Sequence, residues 1–415
     1  MQSFAYKDGE LAAEGVALTE IADRFGTPCY VYSRAAIESQ WQRFDQALAG
    51  HDHLICYAVK ANSNIAVLNL LARMGSGFDI VSVGELERVL RAGGDPGKVV
   101  FSGVGKKTDE LRRGLETGIK CFNVESRSEL ERLNRVAAEM NVQAPVSLRI
   151  NPDVNAETHP YIATGLKENK FGIEFEDAVA IYTTAAGMSN IEVTGIDCHI
   201  GSQITGIAPF IDALKKLKEV TVTLASAGIN LKHVDIGGGL GICYQEENPP
   251  EIEDYISSVL DIFADTSYEI VLEPGRSIVG NAGLLLGRVE YLKANRDKNF
   301  AIVDAAMNDL LRPALYDAWH EILPVVEQKE PGARAFDIVG PVCESGDFLA
   351  RHRILDLKEG DLLAVGSAGA YGFTMSSTYN SRPRACEVMV DGDQVFEIRR
   401  RESIDELMNG ESVLT

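Results

Sequence analysis

Leu54-Ile55-Cys56-Tyr57-Ala58-Val59-Lys60-Ala61-Asn62 is a short β-rich apolar run that stops at a lysine. Seven more runs of this kind follow: Phe78–Ser82, Lys98–Ser102, Ile119–Val124, Pro145–Ile150, Gly195–His199, His233–Ile236 and Tyr268–Leu272. Between them, segments such as Glu85–Ala92 and Arg127–Met140 repeat their apolar residues at helical spacing. Strands alternating with helices build a parallel sheet, and eight of them close a TIM-type (β/α)8 barrel. Such barrels carry their working residues at the C-terminal strand ends. Here those ends hold Lys60, Asp79, Ser102, Arg149, Asn151, His199, Gly237-Gly238-Gly239 and Glu273.

From Gly275 onward the alternation ceases. Gly280–Tyr291, Phe300–Asp304, Phe336–Val342, Asp361–Gly366 and Ala385–Val390 read as strands between Gly, Pro and Asn turns, and Met307–His320 reads as a helix. The spacing predicts a second, β-rich domain resembling a β-barrel or sandwich, joined by the extended Pro28–Tyr32 segment. The expected division is residues 33–275 for the barrel, and 1–32 with 276–415 for the β-rich domain.

Two domains also suit a chain of 415 residues, and 45% hydrophobic with 24% charged residues is a globular composition. A formal net charge of -21 opposes nucleic acid and anionic membrane as partners. The N-terminal Met1–Asp8 has neither the basic start nor the apolar stretch of a signal peptide, and no run reaches the eighteen apolar residues of a membrane helix. Seven scattered cysteines, never spaced C-x-x-C, fit reduced thiols in the cytoplasm and offer no metal site.

A lysine at a strand end can serve imine chemistry when partly desolvated, though most such lysines reach for water. Asp235–Gly241 follows the seventh strand and Glu273–Ser277 the eighth. Phosphate sites in these barrels sit after strands seven and eight, and glycines let backbone N–H groups converge on phosphate oxygens. Either loop alone could be a tight turn; both, in those two positions, favour phosphate. His199 could stack on a flat ring, and Ser202 could donate to phosphate. Glu273 could keep a pyridine nitrogen protonated, or pair with Arg276. Cys343, in the polar loop Cys343-Glu344-Ser345-Gly346-Asp347, could supply a proton to a carbanion or be inert. Arg312 and Tyr316 share a face if helical, and could bind a carboxylate. Arg382, Arg384 and Lys106-Lys107 read as solvated charge.

These motifs resemble the alanine-racemase-like, or fold type III, pyridoxal-phosphate enzymes. They run in order through nearly the whole chain: YAVKAN at 57–62, HPYIATGLKENKFGI at 159–173, HIGSQ at 199–203, GGGLG at 237–241, EPGRS at 273–277, CESGD at 343–347 and Ala370-Tyr371-Gly372. The resemblance implies a cofactor, pyridoxal 5'-phosphate, with Lys60 as its Schiff-base lysine and His199 stacked on its ring. Gly238, Gly239, Gly275, Arg276 and Ser202 would hold the phosphate, with Asp79 a further cofactor contact. Glu273 would meet the pyridine nitrogen; alanine racemases place an arginine there, so the glutamate favours decarboxylation. Arg276, Arg312, Tyr316, Glu344 and Tyr371 would bind the substrate, Tyr371 also touching the cofactor. Cys343 would protonate the carbanion, and Cys343 and Glu344 would reach in from the partner of a homodimer. The activity implied is conversion of meso-2,6-diaminopimelate to L-lysine and carbon dioxide. Carboxynorspermidine and ornithine are the alternative substrates, and a non-catalytic cofactor-binding regulator is the alternative outside catalysis.

Overall fold

The computed structural model describes residues 3–155, 164–165, 169–327 and 332–414. Within the 159–173 motif, residues 159–163 and 166–168 lie outside the described residues. The chain folds into two compact units. One comprises Gln40–Ile242 and Asn248–Ser277; the other comprises Met1–Ser39, Cys243–Glu247 and Ile278–Thr415.

In the first unit eight parallel strands form a closed barrel: β1 (His53–Ala58), β2 (Gly77–Ile80), β3 (Val99–Phe101), β4 (Cys121–Val124), β5 (Ala144–Asn151), β6 (Ile191–Asp197), β7 (His233–Asp235) and β8 (Glu269–Leu272). Strand β1 pairs with both β2 and β8, and the ring closes where Phe122 of β4 lies opposite Val146 of β5. The alternation read from the sequence is thus the observed architecture. The strands are short and almost wholly buried because helices cover their outer faces and side chains fill the interior. Leu54, Cys56, Val100, Cys121 and Val271 form an apolar cluster within the ring. His233 fills the space beside Gly195, where an added Cβ would lie 2.1 Å from Nε2. Burial pushes the pKa of His233 down to about 3, so it packs as a neutral ring. The helices after β2 and β4 start where Ser82 and Ser126 accept the N–H of Glu85 and Glu129.

The second unit is built on a sheet in the order Phe348–Leu355, Arg334–Val339, Asn299–Val303, Gly283–Ala294, Cys29–Ser33, Cys386–Asp391, Gln394–Arg399. Leu362–Val365 also pairs with Gly283–Ala294, and Ile322–Pro324 with Leu362–Val365. A three-strand meander, Phe4–Lys7, Glu10–Ala13 and Val16–Ala17, stands beside it, and the core gathers Leu11, Ile21, Val31, Leu286, Ala364 and Val388.

The structure departs from the sequence expectations in several places. The helix expected over Met307–His320 is a single turn, Arg312–Tyr316. Asp309 folds back to accept the Ala306 N–H, Pro313 lies in the first turn, and Asp317 at φ +51° closes it. The strand Phe348–Leu355 is absent from the expectation because His352, at φ +53°, lies in the irregular pairing that interrupts inside–outside alternation. Lys106 is not solvated charge. Its side chain is 1% exposed, and its Nζ donates to the carbonyls of Gly103 and Asn123, both at 2.8 Å, and to Glu129 at 2.7 Å. An ammonium with three acceptors can be buried, and this one ties the loop after β3 to β4 and to the helix that follows β4. Lys107 is exposed. Arg384 pairs with Glu402 near the surface, whereas half-buried Arg382 donates to the Asp304 carbonyl and to Asn308.

Candidate active site

Polar side chains converge at the C-terminal rim of the barrel because the strands that carry them end there. Lys60 lies in the 3-10 turn Val59–Ala61 that follows β1, and its Nζ sits 2.5 Å from Oδ2 of Asp79, a fully buried residue of β2. The lysine side chain is 34% exposed. Its setting is therefore an open rim beside a carboxylate, rather than the apolar wall that imine chemistry alone suggests. Gly275, after β8, packs on this turn: an added Cβ would stand 3.0 Å from the Cβ atoms of Ala58 and Ala61. The Ala58 N–H also donates to the Pro274 carbonyl at 3.0 Å.

At the rim, Asp197, the last residue of β6, Asp235, the last of β7, and Glu273, which follows β8, bring carboxylate oxygens within 4.8 Å of one another, all three buried. Glu273 Oε1 accepts from Ser102 and from Asn123 Nδ2, each at 3.3 Å. Asp235 accepts the Gly237 N–H at 2.9 Å. Among the described residues, Oδ1 of Asp79 and Oδ1 of Asp197 are buried without a hydrogen-bond partner. Desolvation, reinforced by Asp235, Asp79 and Asp197, pushes the Glu273 pKa well above the usual carboxylate range. Asp197 is raised in the same way, by burial and then by Asp235, while burial lifts Asp235 to about 6.

His199, after β6, accepts the Gly238 N–H on Nδ1 at 3.1 Å, which places its own proton on Nε2. Desolvation, with Arg149 and Lys60 nearby, holds its pKa well below the ordinary imidazole value, so the ring is neutral. Arg149 in turn bonds the His199 carbonyl at 3.3 Å and pairs with Glu125 at 3.2 Å. The loops after β6, β7 and β8 interlock through glycines. A Cβ on Gly238 would lie 2.3 Å from the Glu273 carbonyl oxygen, and one on Gly239, at φ +110°, 2.5 Å from that of Gly201. Arg276 Nη2 donates to Ser202 Oγ at 3.1 Å. Lys60, Asp79, His199, Ser202, Gly238, Gly239, Glu273, Gly275 and Arg276 thus share the barrel unit and its rim.

The remaining candidates belong to the β-rich unit. Buried Arg312 donates to His320 Nε2 at 2.9 Å and lies 4.5 Å from the Tyr244 ring centroid; His320 Nδ1 then donates to the Gly366 carbonyl. Tyr316 is half-buried on the same turn. Cys343 and Glu344 are exposed on one loop, and Tyr371 holds a left-handed backbone at φ +56°. The sequence reading missed Asn123, Asp197 and Glu85, whose pKa burial raises to about 7 while its carboxylate accepts the Val81 N–H. A polar residue inside an otherwise apolar barrel strand, as in Cys121-Phe122-Asn123-Val124, was the available signal for the first two.

The chain matches the family model for the pyridoxal-dependent decarboxylase, pyridoxal binding domain, over residues 34–280. It is 62% identical to a diaminopimelate decarboxylase of Pseudomonas aeruginosa over 414 residues, covering 100% of both chains. The chain belongs to the diaminopimelate decarboxylase family. A diaminopimelate decarboxylase structure from Helicobacter pylori, complexed with L-lysine, superposes with TM-score 0.91 at 41% identity, covering 94% of this chain and 98% of that one. One from M. jannaschii, also with L-lysine, gives TM-score 0.94 at 39% identity, covering 99% and 98%.

The rim suits the family's cofactor on its own chemistry. Glycines bring the backbones of the loops after β6, β7 and β8 together there, a lysine stands at the mouth, and a buried acid cluster can accept a cationic ring nitrogen in place of a proton. The cluster also predicts a pH effect on the cofactor-free protein. Asp235 binds its proton more tightly folded than unfolded, so its contribution to stability is retained below about pH 4 and lost as pH rises through about 6. Asp235→Asn should therefore gain about 2 kcal/mol relative to wild type between pH 4 and pH 7.5, read by urea unfolding at both. No relative gain would mean that Asp235 is not strained as its burial requires.

Proposed function

We propose that the protein decarboxylates meso-2,6-diaminopimelate to L-lysine and carbon dioxide with pyridoxal 5'-phosphate. The observation that carries this reading is buried Glu273, beside Asp197 and Asp235, on the same rim as Lys60. When bound, the cofactor supplies a protonated pyridine ring that takes up the electron pair left at Cα when carbon dioxide departs. Glu273 would keep that nitrogen protonated. Lys60 would hold the cofactor's aldehyde carbon, with Asp79 fixing the amine's direction. Gly238, Gly239, Gly275, Ser202 and Arg276 would seat the phosphate, and neutral His199 would lie against the ring without adding charge.

For the substrate, Arg276, Arg312, Tyr316, Glu344 and Tyr371 would bind the distal amino-carboxylate end. That pairing of cationic and anionic groups suits a substrate bearing both charges far from the reacting carbon. Cys343 would deliver one proton to Cα, so that loss of carbon dioxide and gain of a proton balance. Residues 33–275 would form the cofactor domain, with 1–32 and 276–415 contributing substrate and dimer contacts. Exposure of Cys343 and Glu344 on one loop fits their entering a partner's site in a homodimer.

Two measurements test this. Carbon dioxide release should be fastest from meso-diaminopimelate; faster turnover of carboxynorspermidine or ornithine would overturn the substrate assignment. Mixing inactive Lys60→Ala and Cys343→Ala proteins after partial unfolding should restore about a quarter of wild-type activity, because half the dimers then carry one intact site of two. Mixtures as inactive as their parents would place both residues in one subunit's site.

A further inference from the structure

The Cys343–Asp347 loop is gripped from two sides. On one, the buried Asp347 carboxylate accepts the N–H of Val342 at 2.8 Å and of Met307 at 2.7 Å. On the other, Asn380 Oδ1 accepts the Cys343 N–H at 2.9 Å, and the Tyr379 hydroxyl donates to Glu344 Oε1 at 2.5 Å. Neighbouring residues of one segment thus hold neighbouring residues of the loop.

The segment is anchored independently of these two bonds. The Ser377 N–H donates to the Asn308 carbonyl at 2.9 Å, and Arg382 donates to the Asp304 carbonyl at 2.6 Å and to Asn308 Oδ1 at 3.2 Å. Asn380 and Ser381 both take left-handed backbone, at φ +55° and +54°. Asparagine tolerates that region better than most side chains, and here the bend directs its amide at the Cys343 backbone. Tyr379 is 44% exposed, and a hydrogen bond to a carboxylate in water adds little to stability. Folding alone therefore gives a weak reason for either contact, whereas placing a thiol and a carboxylate for a reaction gives a strong one.

We propose that Asn380 and Tyr379 are positioning residues, Asn380 setting the Cys343 thiol and Tyr379 aiming the Glu344 carboxylate. This rests on the reading of Cys343 as proton donor and Glu344 as a substrate contact. Asn380→Gly keeps the backbone freedom and removes the acceptor, while Asn380→Asp keeps both.

The test uses the holoenzyme and reads steady-state kinetics together with iodoacetamide alkylation, site-resolved by peptide mass spectrometry. Cys243, the other exposed thiol, is the internal control. Asn380→Gly should lower kcat about tenfold with KM within about twofold, and should alter Cys343 alkylation about threefold or more while Cys243 is unchanged. Asn380→Asp should restore both readings. Tyr379→Phe should raise KM about fivefold and leave kcat and Cys343 alkylation unchanged. An unaltered Cys343 rate in Asn380→Gly overturns the role of Asn380, and an unaltered KM in Tyr379→Phe overturns that of Tyr379. An altered Cys343 rate with unaltered kcat instead removes Cys343 from the chemistry, and the proposal falls with the reading beneath it.

Discussion

Lys60→Ala should lower turnover of meso-diaminopimelate by about 10⁴-fold or more, because no other group described on the rim is placed to hold the cofactor's aldehyde and release product. The same change strips Asp79 of an ammonium 2.5 Å away while leaving its carboxylate fully buried. An uncompensated buried carboxylate is destabilising, so the melting temperature should fall as well. Lys60→Arg separates the two effects. A guanidinium can keep the pair with Asp79 and so the stability, yet it cannot form the imine, so activity should stay as low as in the alanine variant. Carbon dioxide release and thermal unfolding, measured on both proteins, check the pair of expectations. Appreciable turnover by Lys60→Arg would show that the aldehyde is held elsewhere.

Glu273→Gln should produce effects of opposite sign on activity and stability. Glutamine preserves shape and can still meet Ser102 and Asn123, but cannot carry the negative charge that keeps a ring nitrogen protonated. Turnover should fall about 10²- to 10³-fold. The cofactor-free protein should become more stable at neutral pH, since burial, reinforced by Asp235, Asp79 and Asp197, raises the Glu273 pKa and its ionisation therefore opposes folding there. The sign follows from the raised pKa: the stability that Glu273 retains at low pH is lost as pH rises toward its folded value, and glutamine has none to lose. The gain should accordingly vanish at about pH 4, where glutamate is protonated folded and largely so unfolded. Unfolding at pH 4 and pH 7.5, alongside kinetics, resolves both halves. A variant that is inactive and also less stable at neutral pH would mark Glu273 as a structural carboxylate.

The barrel was legible because period and chemistry agree over β1–β8: each apolar run stops at a polar or glycine residue, and each intervening segment repeats its apolar residues at helical spacing. The rim residues after β1, β6, β7 and β8 were legible for the same reason. Asn123 and Asp197 were not, because their place in an acid cluster depends on ring closure, which brings strands distant in sequence face to face. Lys106 misled because its neighbour Lys107 is exposed and the pair looks like surface charge. Only the fold supplies the two carbonyls and the glutamate that receive its ammonium. In the β-rich unit a left-handed His352 and an early-closing turn at Asp317 break the periodicities on which strand and helix assignment depend.

The clearest trial is chemical and local. The cofactor-loaded protein is treated with borohydride, digested and mapped by mass spectrometry. One pyridoxyl group is expected, on the lysine of the Tyr57-Ala58-Val59-Lys60-Ala61-Asn62 peptide; a label on any other lysine, or none at all, would remove Lys60 from its proposed role.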